Sequence, residues 1–349
     1  MSTGNNTLKF RDDGSFHILL VSDLHGGEKY FRPQKKALHL LLEETKPDLV
    51  LFGGDMVVSG MFWEHECREN TLRDYLTYTL EEIEEKNIPW AHVYGNHDGE
   101  SKFALTPDLQ RKALLMQQKV YKEFSHCISG QGDLEMHGLS NYVLSVLSSK
   151  NDDVAYRLYA MDSLSSVTDL AHACNMPDCS FRYTNNLVPG QNRDSLPLTD
   201  QVFWYYNESI KAEQENGRKI PAIMWMHNPL PELRLVEENP EECKFEGRKG
   251  ERCCCSVMNT GLFMACLQRG DVKGIFFGHD HLNDYSGEVF GIKMGYDGAL
   301  YDMRRDRDIE DNRGGKEIIL HENGDLFTRQ IRLKDFNLPV EEPWDETNR

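Results

Sequence analysis

The sequence predicts an α/β fold in which parallel strands alternate with crossover helices. Two observations carry that expectation. Short apolar runs are each followed by a segment of helical periodicity, the pattern of strand–helix–strand units. Several of those runs also end abruptly in Asp, Asn or His, as strands do when their carboxyl ends carry a site. A chain of 349 residues, 39% hydrophobic and 28% charged, is long enough to bury a large core under such a scheme.

The elements follow in order. FHILLVS (residues 16–22) reads as a strand, and a helix opens near Pro33 in RPQKKALHLLLEETKP. DLVLF (48–52) is the next strand. TLRDYLTYTLEEIEEKN then places Leu72, Leu76, Leu80 and Ile83 on one helical face. PWAHVY (89–94) is a third strand and PDLQRKALLMQQKVYKEF another helix. NYVLSVL and AYRLYAM read as neighbouring strands. TDQVFWYYNESIKAEQENG is a helix with Thr199 as its cap and Gly217 as its stop. PAIMWM (221–226) and VKGIFF (272–277) are strands flanking the helix NTGLFMACLQRG, and the segments from Gly291 to Leu333 read as strands and hairpins.

No linker or internal repeat divides the chain, so residues 14–336 are expected to form one domain. Residues 1–13 would be a flexible N-terminus and 337–349 an acidic tail. Irregular excursions fall at about 163–198 and 232–258; the charged stretch 235–256 reads as a solvated surface loop.

Composition excludes several classes. A net charge of −18 with no Lys/Arg cluster argues against a nucleic-acid backbone as partner. No run of 18 apolar residues is present, so no spanning helix is expected. MSTGNNTLKFRDDG lacks the apolar stretch of a signal peptide, and a cytoplasmic protein is the expectation. The 9 cysteines form no disulfide framework and are read as free thiols, with the run Cys253-Cys254-Cys255 a weak candidate for a zinc knot or redox switch. Oligomeric state has no signature in the sequence.

The chemistry sits at the strand ends. The first strand delivers Asp23-Leu24-His25, the second Gly53-Gly54-Asp55 and the third Gly95-Asn96-His97-Asp98. PAIMWM delivers His227-Asn228, and VKGIFF delivers Gly278-His279-Asp280-His281. Imidazole and carboxylate suit Mn, Fe and Zn, and no Cys occurs in any of these sets. The donors are too many for one tetrahedral ion and suit two ions sharing a bridge. Glycines before Asp55, Asn96 and His279 permit sharp turns and close approach. Two divalent ions outweigh the two aspartates, so a strongly acidic chain would hold a locally positive pocket for a phosphate oxyanion.

DLH, GD, GNHD, a lone His and GHDH, in that order, resemble the calcineurin-like metallophosphoesterase superfamily over residues 16 to about 333. The resemblance is nearest to the short purple-acid-phosphatase-like phosphatases of plants and fungi, on GNHDGE, NYVL, MHNPLPEL, MNTG and GHDHLNDYSG. It implies a four-layer α/β/β/α sandwich with a dimetal site at the carboxyl ends of the strands. By motif, Asp23, His25 and His281 would hold one ion and Asn96, His227 and His279 the other, with Asp55 bridging. A metal-activated hydroxide would attack phosphorus, and His97 would assist at the transition state or leaving oxygen.

Departures narrow the branch. Val58 and Ser59 stand where phosphoprotein phosphatases carry Asp and Arg, and Val58 also replaces the metal-binding Tyr of true purple acid phosphatases. Asp98 and Asp280 are candidates to orient a histidine. His126 and His137 sit in a loop and are left out of the site, and Asn283 and Asp284 are read as fixing the turn after GHDH. The expected activity is hydrolysis of a phosphomonoester, on a phosphoprotein or a small phosphorylated metabolite. The alternatives are a phosphodiesterase and a non-catalytic scaffold.

Overall fold

The computed structural model describes residues 6–26, 31–57, 68–99, 107–164, 196–256, 258–300 and 313–336. In chain order the first half comprises β1 (Ser15–Val21), α1 (Phe31–Thr45), β2 (Leu49–Phe52), α2 (Arg68–Thr79), α3 (Glu81–Glu85), β3 (Trp90–His92), α4 (Pro107–Tyr121), β4 (Tyr142–Leu147) and β5 (Val154–Ala160). Then come α5 (Thr199–Asn216), β6 (Ala222–Met226), α6 (Arg234–Glu238), α7 (Leu262–Arg269), β7 (Val272–Phe277), β8 (Ser286–Val289), β9 (Ile292–Tyr296), β10 (Gly314–His321) and β11 (Leu326–Arg332).

These strands form one sheet in the order β11-β10-β1-β2-β3 and a second in the order β4-β5-β6-β7-β9-β8. The expected parallel units are present. Ile18 of β1 pairs with Leu49 of β2, and Val50 of β2 with Trp90 of β3, all parallel. β5, β6, β7 and β9 also run parallel, while β4 pairs antiparallel with β5. Parallel strands covered on both faces need apolar side chains on both, and alternation then assigns the layers. In β1, Leu19 and Val21 pack among α1 and α2 side chains such as Leu38 and Leu72, whereas Phe16, Ile18 and Leu20 face the other sheet. In β6, Ile223 and Trp225 enter that same inter-sheet core, and Ala222, Met224 and Met226 join Tyr205 of α5 and Leu262 of α7. The result is helix, sheet, sheet, helix, as the resemblance implied. Trp225 is fully buried, and truncating such a side chain costs about 3–5 kcal/mol.

Four local expectations are corrected. The helix read through Leu72, Leu76, Leu80 and Ile83 is two helices jointed at Leu80 (φ −96°, ψ 4°), although all four side chains are buried on one stripe. Thr199 is the first residue of α5 rather than its cap; the residue before it, Leu198, has its N–H held by Gln201 Oε1 at 2.7 Å. Gly217 does end that helix, in the left-handed region (φ 66°). The N-terminal segment read as flexible is tied down from Leu8, since Leu147 at the end of β4 accepts from Phe10 N and donates to Leu8 O, both at 2.9 Å. The stretch 235–256 is not simply solvated: Val236, Cys243, Cys253 and Cys255 are buried in the core of the second sheet.

Cys127, Cys243, Cys253, Cys254, Cys255 and Cys266 are free thiols. Among the described residues they take part in no cluster able to hold a metal ion, and no helix is long and apolar enough to cross a membrane. Val58, Ser59, Cys174, Cys179, most of the 163–198 excursion and the tail from residue 337 lie outside the described residues.

Candidate metal centre

The strand ends named above converge where the two sheets meet. Asp23 and His25 follow β1, Asp55 follows β2, and Asn96 and His97 follow β3; His227 follows β6, and His279 and His281 follow β7. Asp23 N donates to Gly54 O at 3.0 Å and His25 N to Asp55 O at 2.9 Å, which locks the first two ends together. Asp23 (φ 54°), His25 (φ 46°), Asp55 (φ 51°) and His279 (φ 76°) all occupy the left-handed region. For side-chain-bearing residues that conformation costs on the order of 1–3 kcal/mol each and survives only where the surroundings enforce it. Two glycines are needed for the approach. A Cβ on Gly95 would fall 2.2 Å from Asp55 Oδ1, and one on Gly54 (φ 99°) would fall 2.6 Å from His227 Nδ1.

Three sets of ligand atoms lie within 4.8 Å of one another: Asp23, His25 and His281; His25, Asp55 and His97; and Asp23, Asp55 and His227. Asp23, His25 and Asp55 each belong to two of these sets, so the sets overlap in one cluster. Asn96 also arrives, with Oδ1 3.1 Å from His227 Nε2. His279 stands at the edge of the group: its ring meets that of His227 at 5.2 Å and its N–H donates to Asp23 Oδ2 at 3.0 Å. His97, expected only as a catalytic group, is anchored through its N–H to Asp55 Oδ1 at 2.8 Å and packs its ring against His25 at 5.1 Å.

Three of these side chains, His227, Asp23 and Asp55, are held on one side by hydrogen bonds to the protein. His227 Nδ1 lies 2.9 Å from Gly53 O, to which it donates, so Nε2 is the nitrogen turned to the carboxylates, 3.2 Å from Asp55 Oδ2. Asp23 Oδ2 is occupied by Ser22 Oγ and His279 N, and Asp55 Oδ1 by His97 N. The opposite oxygens, Asp23 Oδ1 and Asp55 Oδ2, are buried and accept no hydrogen bond. Asp23 Oδ1 instead faces His281 Nε2 at 3.2 Å and His25 Nε2 at 3.5 Å. Buried carboxylate oxygens left bare and ringed by imidazole nitrogens are the donor set that divalent cations require. The residues present fit two ions.

The electrostatics agree. Burial opposes ionisation of Asp23 and Asp55, yet the imidazoles of His281 and His227 around the one, and of His227 and His97 around the other, hold both below the ordinary carboxylate range. Burial likewise works against protonating His227, but Asp55 and Asp23 raise it to about 10. The same two carboxylates would meet a cation at Nε2 in place of that proton. Burial lowers His25.

Asp98 and Asp280, the two candidates for orienting a histidine, both make hydrogen bonds beside the centre. Asp98 accepts from the backbone N–H groups of Asp55 (2.9 Å), Val57 (3.1 Å) and Gly95 (2.7 Å), and so fixes the second and third strand ends; burial and Asp55 push it up to about 7. Asp280 accepts from Tyr296 Oη and from Cys254 N. Asn283 Oδ1 takes the N–H groups of Gly250 and Glu251, and Asp284 pairs with Arg332, which ties the segment after GHDH to the 250–251 loop and to β11. His126 and His137 bond Asn6 and Asp200, away from the centre.

Sequence reasoning missed Ser22 and Asp297. The signal was available in part: β9 ends at Tyr296 and Asp297 follows, an acid just past a strand, as Asp23 and Asp55 are.

The fold and its centre define an α/β metallophosphoesterase sandwich. The sequence model of the calcineurin-like phosphoesterase family matches residues 16–283, and the chain belongs to that family. It is 28% identical to an Arabidopsis thaliana protein named probable inactive purple acid phosphatase 14, over 85% of this chain and 73% of that protein. It is 24% identical to phosphatase DCR2 of Saccharomyces cerevisiae, over 82% of this chain and 47% of the yeast protein. Among solved structures it is similar to a dimetal phosphatase from Danio rerio, with a TM-score of 0.52 and 14% identity over 90% of this chain and 98% of that one. At that identity the likeness concerns the fold.

Proposed function

We propose that the chain is a dimetal phosphomonoesterase acting on a phosphoprotein or a small phosphorylated metabolite, with residues 14–336 as one catalytic domain. The observation that supports this best is the pair of bare buried oxygens, Asp23 Oδ1 and Asp55 Oδ2, set among imidazole nitrogens from both sheets. Asp23, His25 and His281 would hold one ion, Asn96, His227 and His279 the other, and Asp55 both; Mn, Fe and Zn all suit these donors. Bound there, two ions supply Lewis acidity toward a phosphoryl oxygen and lower the pKa of a water.

The chain's own residues do the rest. His227 is kept in the tautomer that offers Nε2 by Gly53 O, and Asp23 and Asp55 are turned by their hydrogen bonds so that one oxygen each faces the ions. His97, half-buried and tied by its backbone to Asp55, would give a proton to the leaving oxygen of the ester.

A second reading, a fold kept without catalysis, is raised by the word inactive in the name of the Arabidopsis relative. Against it, Asp23, His25, Asp55, Asn96, His97, His227, His279 and His281 are all retained. Turnover of p-nitrophenyl phosphate and bis-p-nitrophenyl phosphate on metal-analysed protein with Mn²⁺ tests the proposal. Preference for the monoester supports it, preference for the diester replaces it with a phosphodiesterase, and no turnover with two ions bound favours the scaffold.

A further inference from the structure

Ser22 precedes the first acidic residue of the centre, and its hydroxyl lies 2.5 Å from Asp23 Oδ2 and 2.8 Å from Asp297 Oδ1. A serine hydroxyl has one proton to donate. Both neighbours are carboxyl oxygens, so two ionised carboxylates cannot both be served. One of the acids must bring its own proton and donate it to Ser22 Oγ.

The surroundings decide which. Asp23 Oδ1 faces the imidazole nitrogens of His281, His25 and His227 at 3.2, 3.5 and 4.0 Å, and as a ligand of the ion Asp23 has to be the carboxylate. Asp297 is fully buried, and its Oδ2 has no hydrogen-bond partner. The buried amine nearest in chemistry, Lys316 Nζ, donates to Ser286 Oγ at 3.1 Å instead. A neutral acid tolerates such a site far better than a carboxylate. Burial, with the negative charge of Asp23, moves Asp297 in the same direction. The placement follows from strand register: Asp297 N donates to Phe277 O at 2.9 Å, which seats the end of β9 beside the end of β7, and Ala299 forms a bridge with Ser22.

We infer that Asp297 is a positioning residue of the metal centre: as a neutral acid it donates to Ser22 Oγ, Ser22 donates to Asp23 Oδ2, and Asp23 Oδ1 is thereby left turned toward the ion. This rests on the dimetal reading. It adds a residue outside the ligand motifs, delivered by a sixth strand.

The test is Mn²⁺ titration of full-length wild type, S22A, D297A, D297N and S22A/D297A, with an infrared spectrum of each metal-free protein. S22A weakens Mn²⁺ binding about 10–100-fold, the range for a partner of a ligand. D297A weakens it in the same direction, and the double variant binds no more weakly than S22A, because Asp297 acts through Ser22. D297N, whose amide N–H replaces the carboxyl O–H, stays within about threefold of wild type. The wild-type spectrum contains the C=O band of a protonated carboxyl that D297N lacks. An unchanged D297A, a D297N as weak as D297A, full additivity in the double variant, or no such band overturns the role. Should D297A fail to fold, D297N and the infrared band still decide. A wild type that takes up no Mn²⁺ overturns the dimetal reading itself, and the band then judges the Asp297 proton separately.

Discussion

Nε2 of His25 and Nε2 of His281 lie 3.0 Å apart, although 256 positions separate them in the chain. Two imidazole lone pairs at that distance repel unless a proton or a cation lies between them. A centre with this geometry should take up two ions, and His281→Ala should lower the uptake to about one. Metal analysis after gel filtration checks the count. Chelation should also lower thermal stability, by about 2.7 kcal/mol for each ion removed, relative to protein held at a hundredfold excess over Kd. An unfolding temperature indifferent to the chelator would remove the ions from the account.

Gly95 leaves no room for a methyl group, since its Cβ would meet Asp55 Oδ1 at 2.2 Å and Asp55 N at 2.6 Å. One of those atoms is backbone and cannot rotate away. Gly95→Ala should therefore destabilise the fold by about 1–3 kcal/mol and displace Asp55. Urea unfolding reads the first effect and Mn²⁺ titration the second; normal affinity in the variant would show that Asp55 is free to move.

His97 is predicted to act on turnover rather than on assembly. His97→Ala should reduce kcat about 10²–10⁴-fold while both ions remain bound, because its backbone N–H still reaches Asp55. The reduction should shrink for an ester with a good leaving group, such as p-nitrophenol. A rate unchanged for esters of poor leaving groups removes His97 from the proton transfer.

How legible this was in the sequence depended on distance along the chain. Asp23, His25, Asp55, Asn96, His97, His279 and His281 were legible because each sits in a short motif ending an apolar run, and strand ends in α/β folds gather at one side. The layers were legible through alternation, as Leu19 and Leu20 show by entering different cores. Asp297 was not, since its contact with Ser22 depends on which strand β9 pairs with, a choice made by tertiary packing. The break at Leu80 was invisible for a similar reason: the apolar stripe is continuous and only the backbone bends. Burial of Cys253 and Cys255 within a charged stretch escaped notice because neighbours in space, not in sequence, cover them.

His92 offers a test of pH dependence away from the centre. Burial among Tyr94, Tyr121 and Trp90 lowers its pKa from 6.5 to about 3. The unfolded chain therefore accepts a proton that the folded chain refuses. Stability from this residue is complete above pH 6.5 and declines as the pH falls toward 3. The loss approaches about 5 kcal/mol at the acid end by linkage. Urea midpoints between pH 7 and 4 for chelated wild type and His92→Gln should show a steeper slope in wild type. Equal slopes would mean that His92 takes up its proton without unfolding.

The centre draws Asp23, His25, Asp55 and Asn96 from one sheet and His227, His279 and His281 from the other. While the chain is still being synthesised, the first group exists long before the second, and its members alone make a shallow, partial ligand set. Tight loading must wait until β6 and β7 have formed and docked. Ions bound there would arrive last and fasten the two halves like a rivet through overlapping plates, and metal content would then report how many molecules have completed folding.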